Sequence, residues 1–323
     1  RQYDIRGVVG NDLTAAGVEV IGRAFAALLT ERGLPPRVVV GRDNRPSGAD
    51  LRDALVRGLT SCGVAVADLG VVPTPAMYWA LHHLDVPCGI QITGSHNPPE
   101  FNGLKLCVGK ASLHGDGLQR LYELGAAGTF LTGEGAVVKR GILDAYVDDL
   151  VARTGQLSRP LKVVVDCGNG AASLVAARLF KRIGAKATML FAESDGTFPN
   201  HHPDPTVEAN LVDLQRAVAA EGAEAGIAWA RCPACRKIED GFPAGMVTLR
   251  GLVASLDGSR VVRGERSGPV ARVHLCAHHG APKGLAHTAL FDLLLMDGGG
   301  GSRPTEESVG RVILGLAARI RQN

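Results

Sequence analysis

Short β-branched runs that stop at glycine, each followed by apolar residues at helical spacing, set the pattern of this chain. Val38-Val39-Val40 reads as a buried strand that stops at Gly41-Arg42-Asp43. After the Pro46-Ser47-Gly48 turn, Leu51, Leu55, Leu59 and Cys62 recur along one helix face, and Val64 to Asp68 reads as the next strand. Ahead of them, Val18, Ile21, Phe25, Leu28 and Leu29 mark a helix that Thr14 can cap. The layout returns after Leu157-Ser158-Arg159-Pro160, which reads as a domain linker. Val163-Val164-Val165 is a strand and Asp166-Cys167-Gly168-Asn169-Gly170 a turn. Ala172, Val175, Ala176, Leu179, Phe180 and Ile183 then form one helical face. Strand, turn, helix and strand, twice over, predict two related α/β domains.

From Ala230 the pattern fails. Residues 231–303 are rich in Gly, Arg, Cys and His and lack repeating apolar faces, which predicts a divergent, poorly ordered segment with an exposed backbone. Gly298 to Ser302 has the composition of a flexible linker. Val309, Val312, Ile313, Leu316 and Ile320 then restore an amphipathic helix. The expected boundaries are 1–133 and 134–229 for the two α/β domains, 230–303 for the divergent segment and 304–323 for the closing helix.

Composition narrows the function. The 323 residues are 46% hydrophobic, enough for two domains that each bury a core. A net charge of +3, evenly spread, and 4% aromatic residues argue against nucleic-acid or membrane partners. The opening residues are not expected to form a signal peptide, and no apolar run approaches the roughly 20 residues of a membrane-spanning helix. The opening Arg1-Gln2-Tyr3-Asp4 leaves a few residues of a first strand to be expected upstream. Seven scattered cysteines read as reduced thiols. The expectation is a soluble cytoplasmic protein.

The stretch Gly89-Ile90-Gln91-Ile92-Thr93-Gly94-Ser95-His96-Asn97-Pro98-Pro99 carries the chemistry. A strand ends at Gly94, where the chain can turn and expose the Ser95 hydroxyl at the strand's carboxyl end, the edge at which open α/β sheets bind ligands. Pro98 and Pro99 stiffen the exit. By residue type alone, a loop serine beside a histidine is more often ordinary turn chemistry than a nucleophile. No GxSxG nucleophile elbow is present, which disfavours an α/β-hydrolase.

With the motifs that accompany it, the stretch resembles the phosphoserine loop of the α-D-phosphohexomutases, specifically their bacterial phosphomannomutase/phosphoglucomutase branch. Tyr3-Asp4-Ile5-Arg6-Gly7, Gly41-Arg42-Asp43, Val72-Pro73-Thr74-Pro75 and Asn102-Gly103-Leu104-Lys105 match in order. Val165 to Gly170 and Phe198-Pro199-Asn200-His201-His202-Pro203-Asp204-Pro205 follow, so the likeness covers residues 1–229. It implies two α/β domains with mixed sheets sandwiched by helices, the first bearing the phosphoserine. It also implies an isomerase that interconverts hexose 1-phosphate and 6-phosphate, of mannose or glucose, through a sugar bisphosphate.

On that resemblance Ser95 carries the phosphoryl group, splitting one transfer into two. His96 and Lys105 are the acid/base candidates. Arg6 and Arg42 offer planar forks to phosphoryl oxygens. Asn97 orients the loop and Tyr3 lines the substrate entrance. Read alone, Arg6 and Arg42 are more often surface ion pairs and Lys105 more often an ordinary exposed lysine. His201 and His202 invite a metal reading, but between prolines they read as a structural turn.

The resemblance then breaks. The family's aspartate-rich loop, Asp-Gly-Asp-x-Asp-Arg, holds Mg²⁺ together with the phosphoserine, here Ser95. In this chain Gly226-Ile227-Ala228-Trp229 leads instead into Ala230-Arg231-Cys232-Pro233-Ala234-Cys235, and Glu239-Asp240-Gly241 does not supply the alternation. The magnesium site is therefore expected to be incomplete. Gly264-Glu265-Arg266-Ser267-Gly268 resembles the family's sugar-binding loop but ends in Pro269, and the last helix resembles the closing helix of the family's fourth domain. Cys232 and Cys235, with Cys276 and His278 or His279, offer a zinc alternative, whereas a deletion or reading-frame scar accounts better for the abrupt loss of periodicity. Two readings follow: a phosphohexomutase, or a catalytically dead sugar-phosphate-binding or zinc-stabilised homologue.

Overall fold

Backbone and side chains are described here for residues 4–157, 159–204 and 207–228 of a computed structural model, with the backbone alone of three further strands. They form two compact units, one running up to Leu143 and taking in residues 195–197, the other beginning at Asp144 and taking in the remaining described residues.

The first unit runs β1 (Ile5–Val8), α1 (Ala15–Glu31), β2 (Arg37–Arg42), α2 (Gly48–Thr60), β3 (Ala65–Val71) and α3 (Thr74–His83). It continues through β4 (Cys88–Ile92), β5 (Phe101–Val108), β6 (Ala111–Ser112), α4 (Asp116–Ala127) and β7 (Val137–Lys139). The sheet order is β1-β5-β4-β2-β3-β7, with β6 paired to β5. β4, β2, β3 and β7 are mutually parallel, whereas β5 runs antiparallel to both β4 and β1, so the sheet is mixed.

Strand alternation sorts the core into layers. Val38, Val40, Ile90 and Ile92 pack in one buried cluster with Phe25 and Leu28 of α1 and Leu51 and Leu55 of α2. Gly89 instead faces Val39, Leu81 and Met77, which puts α3 on the opposite face. α1 begins as expected, with Thr14 Oγ1 accepting from the Gly17 amide at 3.1 Å. α2 ends at Thr60, so Cys62 is buried just beyond the helix rather than on it.

β7 moves the expected domain boundary. Val137, Val138 and Lys139 are all exposed, so no apolar period marks them. They nevertheless pair with Val66, Ala67 and Asp68 of β3, and the first unit runs on to Leu143. Leu157 and Arg159 fall between α5 (Leu143–Thr154) and β8 (Lys162–Asp166), inside the second unit rather than between domains.

The second unit continues with α6 (Ser173–Arg182), β9 (Lys186–Leu190), a 3₁₀ turn (Glu208–Leu211), α7 (Val212–Glu221) and β10 (Ala225–Ala228). β9 and β10 flank β8 in parallel. Within the stretch expected to be poorly ordered, the backbone forms β11 (Gly264–Ser267), β12 (Val270–His274) and β13 (Asp292–Met296), extending the sheet in the order β11-β12-β13-β10-β8-β9. β13 is antiparallel to β10. Backbone pairing forms a strand without a side-chain period, which is why periodicity missed all three. The segment likened to a sugar-binding loop is thus largely strand. The expected closing helix and the zinc candidates Cys232, Cys235, Cys276, His278 and His279 lie outside the described residues, as does Tyr3. Among the described residues no helix is long and apolar enough to cross a membrane.

Candidate active site

The connection from β2 leads through α2 to β3, while β4, reached through α3, lies on the other side of β2. The carboxyl ends of β2 and β4 therefore border a switch point, where open α/β sheets leave a crevice for ligands. The Asp43 amide donates to the Ile92 carbonyl at 2.8 Å, which ties the two strand ends together. Ser95 lies three residues past the end of β4.

Ser95 has φ +58°, a left-handed conformation that non-glycine residues seldom adopt. Its amide donates to Thr93 Oγ1 at 2.9 Å, and the Asn97 amide to the Gly94 carbonyl at 3.1 Å. The loop is therefore a hydrogen-bonded turn. Ser95, His96 and Asn97 are all half-buried within it.

Beneath the loop is a residue that sequence reasoning did not single out. Arg45 is fully buried, and its guanidinium donates to the carbonyls of Ser95 (3.0 Å), Asn97 (2.6 Å), Pro98 (2.5 Å) and Phe101 (3.1 Å). Its Nε donates to Asp43 Oδ2 at 3.2 Å, and the same oxygen accepts the Gly94 amide at 3.2 Å. Burial lowers the Arg45 guanidinium from its ordinary value, against the pull of the Asp43 carboxylate. Gly94 lies so close that a Cβ there would overlap the guanidinium and come within 2.7 Å of the Phe101 carbonyl oxygen.

A second cluster stands on β1 and β5. Arg6 pairs in register with Gly103, two residues before Lys105, so both side chains leave one face of the sheet. The Asp4 carboxylate accepts from Arg6 at 2.7 Å and from Lys105 Nζ at 3.1 Å. Arg6 also donates to Asn97 Oδ1 at 3.2 Å, which links this cluster to the Ser95 loop. The structure thus joins Arg6 to Lys105 through Asp4, and to Asn97 through its own guanidinium. Arg42, at the end of β2, is half-buried and donates to the Asp43 carbonyl at 3.3 Å; no ion pair involves it among the described residues.

The model of the phosphoglucomutase/phosphomannomutase alpha/beta/alpha domain I matches residues 1–127, and that of alpha/beta/alpha domain II matches residues 144–229. The chain belongs to the phosphoglucomutase/phosphomannomutase family. It is 42% identical over 257 residues to the phosphomannomutase/phosphoglucomutase of Pseudomonas aeruginosa PAO1, covering 78% of this chain and 52% of that one. To the phosphoglucomutase of Neisseria gonorrhoeae it is 42% identical over 231 residues, 71% of this chain and 50% of that one. A crystal structure of a phosphoglucomutase/phosphomannomutase family protein from Burkholderia thailandensis matches with a TM-score of 0.68 and 44% identity, over 71% of this chain and 51% of its own. The chain spans about half the length of the curated relatives it matches.

The magnesium that this phosphohexomutase resemblance implies does not fit the described residues. None of their His, Cys, Asp and Glu side chains gather in threes that could hold a metal ion. The carboxylates of the site are committed, Asp43 to Arg45 and Asp4 to Arg6 and Lys105. The His201 turn is likewise no metal site, since its Nε2 lies 3.0 Å from Asp166 Oδ2 and its Nδ1 2.9 Å from the His202 carbonyl. What the sequence reading missed were the partners, Asp4, Asp43 and Arg45. The signal for the last two was an Asp-x-Arg directly after a strand and before a helix-starting Pro-Ser-Gly.

Proposed function

We propose that this chain carries the phosphoryl-accepting half of a phosphohexomutase, which interconverts the 1-phosphate and 6-phosphate of mannose or glucose. In this reading the Ser95 hydroxyl takes a phosphoryl group from a sugar bisphosphate and returns it to a hexose phosphate. Arg6 and Arg42 bind phosphoryl oxygens as planar forks. Lys105, donating to Asp4, presents an ammonium that serves as a cation or a proton donor. His96 is the remaining acid/base candidate, Asn97 orients the loop, and Tyr3 lines the entrance. No step is assigned to magnesium, and a cytoplasmic location is part of the same proposal.

The observation that carries the reading is Ser95 itself. It is a hydroxyl residue in a left-handed turn at the carboxyl end of β4, beside cations gathered around one buried carboxylate. The test is to incubate the full chain with glucose 1,6-bisphosphate, Mg²⁺ and glucose or mannose 1-phosphate. The expected result is one phosphoryl group on Ser95, absent in Ser95→Ala, with 6-phosphate formed in proportion to enzyme. An unphosphorylated Ser95 would overturn the reading.

One observation favours a second reading, binding without turnover. The carboxylates near Ser95 are committed, and the sequence after Trp229 does not resupply them. Saturable binding of glucose 1-phosphate with no product would select that reading.

A further inference from the structure

We propose that Arg45 is a positioning residue that holds Ser95 in the geometry from which it accepts a phosphoryl group, with Asp43 as its anchor. The inference rests on the reading of Ser95 as the acceptor. Arg45 does not touch substrate, because its side chain is fully buried.

All five guanidinium N–H donors have acceptors. Nε serves Asp43, one terminal nitrogen serves Pro98 and Phe101, and the other serves Ser95 and Asn97. Four of these acceptors are backbone carbonyls lying between residues 95 and 101, so the side chain binds the path of the loop rather than any side chain on it. Asp43 completes the clamp by taking Arg45 Nε and the Gly94 amide on one oxygen. Ser95 is thus fixed from two directions, its carbonyl by Arg45 and its amide by Thr93. That matters for a residue at φ +58°, which has other conformations to relax into once the clamp is lost.

A planar fork is needed here. Lysine has a comparable stem and the same charge, but its three donors radiate from one nitrogen and cannot span acceptors along the loop. Phosphoryl transfer demands in-line geometry, with the bond from phosphorus to Ser95 Oγ forming as the bond to the sugar oxygen breaks. The Ser95 hydroxyl proton finishes on the departing sugar oxygen. A misplacement of about 1 Å at the acceptor costs roughly 100-fold in such a step.

The test uses the full chain and its Arg45→Met and Arg45→Lys variants, mixed with glucose 1,6-bisphosphate and Mg²⁺ and quenched over time for intact mass. The limiting rate of Ser95 phosphorylation is expected to fall about 100-fold in Arg45→Met, with little change in the half-saturating concentration. Arg45→Lys should recover only part of it. A purely structural role would instead lower the fraction of chains that react while leaving the rate of that fraction intact. Amide hydrogen exchange across residues 94–101 should accelerate at least about tenfold in Arg45→Met.

Wild-type rates in Arg45→Met would overturn the positioning role while leaving Ser95 as the acceptor. If the wild-type chain takes no phosphoryl group, the acceptor reading falls. Exchange then decides the clamp alone, and an unchanged loop overturns it. Should Arg45→Met fail to fold, Arg45→Lys and Asp43→Asn carry the same comparison.

Discussion

His201 Nε2 lies 3.0 Å from Asp166 Oδ2, while Nδ1 of the same ring lies 2.9 Å from the His202 carbonyl oxygen. Both neighbours are acceptors, so the ring satisfies them together only with a proton on each nitrogen. The Asp166 bond, joined by the His202 carbonyl and the charges of Asp166 and Asp213, raises the His201 pKa against the opposing effect of burial. This ties the loop at 198–204 to the end of β8.

A pH dependence follows. Because the folded value lies above the unfolded one of about 6.5, the stabilisation is complete below about pH 6.5 and is lost as pH rises through the folded value. His201→Gln should cost about 1–3 kcal/mol in mildly acidic buffer, where Asp166 loses a charged partner. The gap to wild type should narrow on the alkaline side. Urea unfolding of both proteins between pH 5.5 and 9 checks this, and a gap that grows with pH would contradict it.

Asp4→Asn removes the carboxylate shared by Arg6 and Lys105, and the Arg6 side chain is only 2% exposed. Two cations would then face each other with a neutral amide between them. The expected loss is about 3 kcal/mol in denaturant unfolding. Adding Lys105→Met should cost less than the sum of the two single changes, because the second removes a repulsion created by the first. Strict additivity would show that the three groups are not coupled.

Gly94→Ala places a methyl group where the Arg45 guanidinium stands. The clamp must shift or break, at a cost of about 1–3 kcal/mol. Differential scanning calorimetry of the variant should show a lower Tm. If it melts with wild type, the close approach of Gly94 and Arg45 is wrong.

Gly58→Ala tests the helix layer instead of the site. A Cβ on Gly58 would overlap the Glu19 carbonyl and sit 3.2 Å from the Arg23 amide, while one on Gly22 would lie 2.7 Å from the Leu55 carbonyl. Each glycine therefore lets α1 and α2 approach backbone to backbone. Either alanine should destabilise by about 1–3 kcal/mol, and both together should cost less than their sum, since the first already separates the helices. Thermal unfolding of the three variants decides it.

Much of the first unit could be read from local patterns. α1 and β2 announce themselves through apolar spacing, and Thr14 caps α1 where its residue type says it should. Ser95 and Lys105 could be named because their neighbours in sequence form recognisable motifs. Arg45 could not, since an arginine is read as a surface residue until its acceptors are known. Its four carbonyl acceptors stand 50 to 56 positions away. β7 was equally silent, because its three exposed residues join the sheet through backbone bonds to β3 alone.

By itself, then, the sequence determined the periods of strands and helices, the caps and turns, and the residue types present at the candidate site. Only the tertiary structure decided how those residues are paired. Strand register brings Lys105 to Asp4 across 101 positions, and the meeting of β2 with β4 carries Arg45 beneath Ser95. Helical period and capping act within a few residues, whereas charge pairing and backbone satisfaction depend on distance in space, which exists only once the sheet has formed.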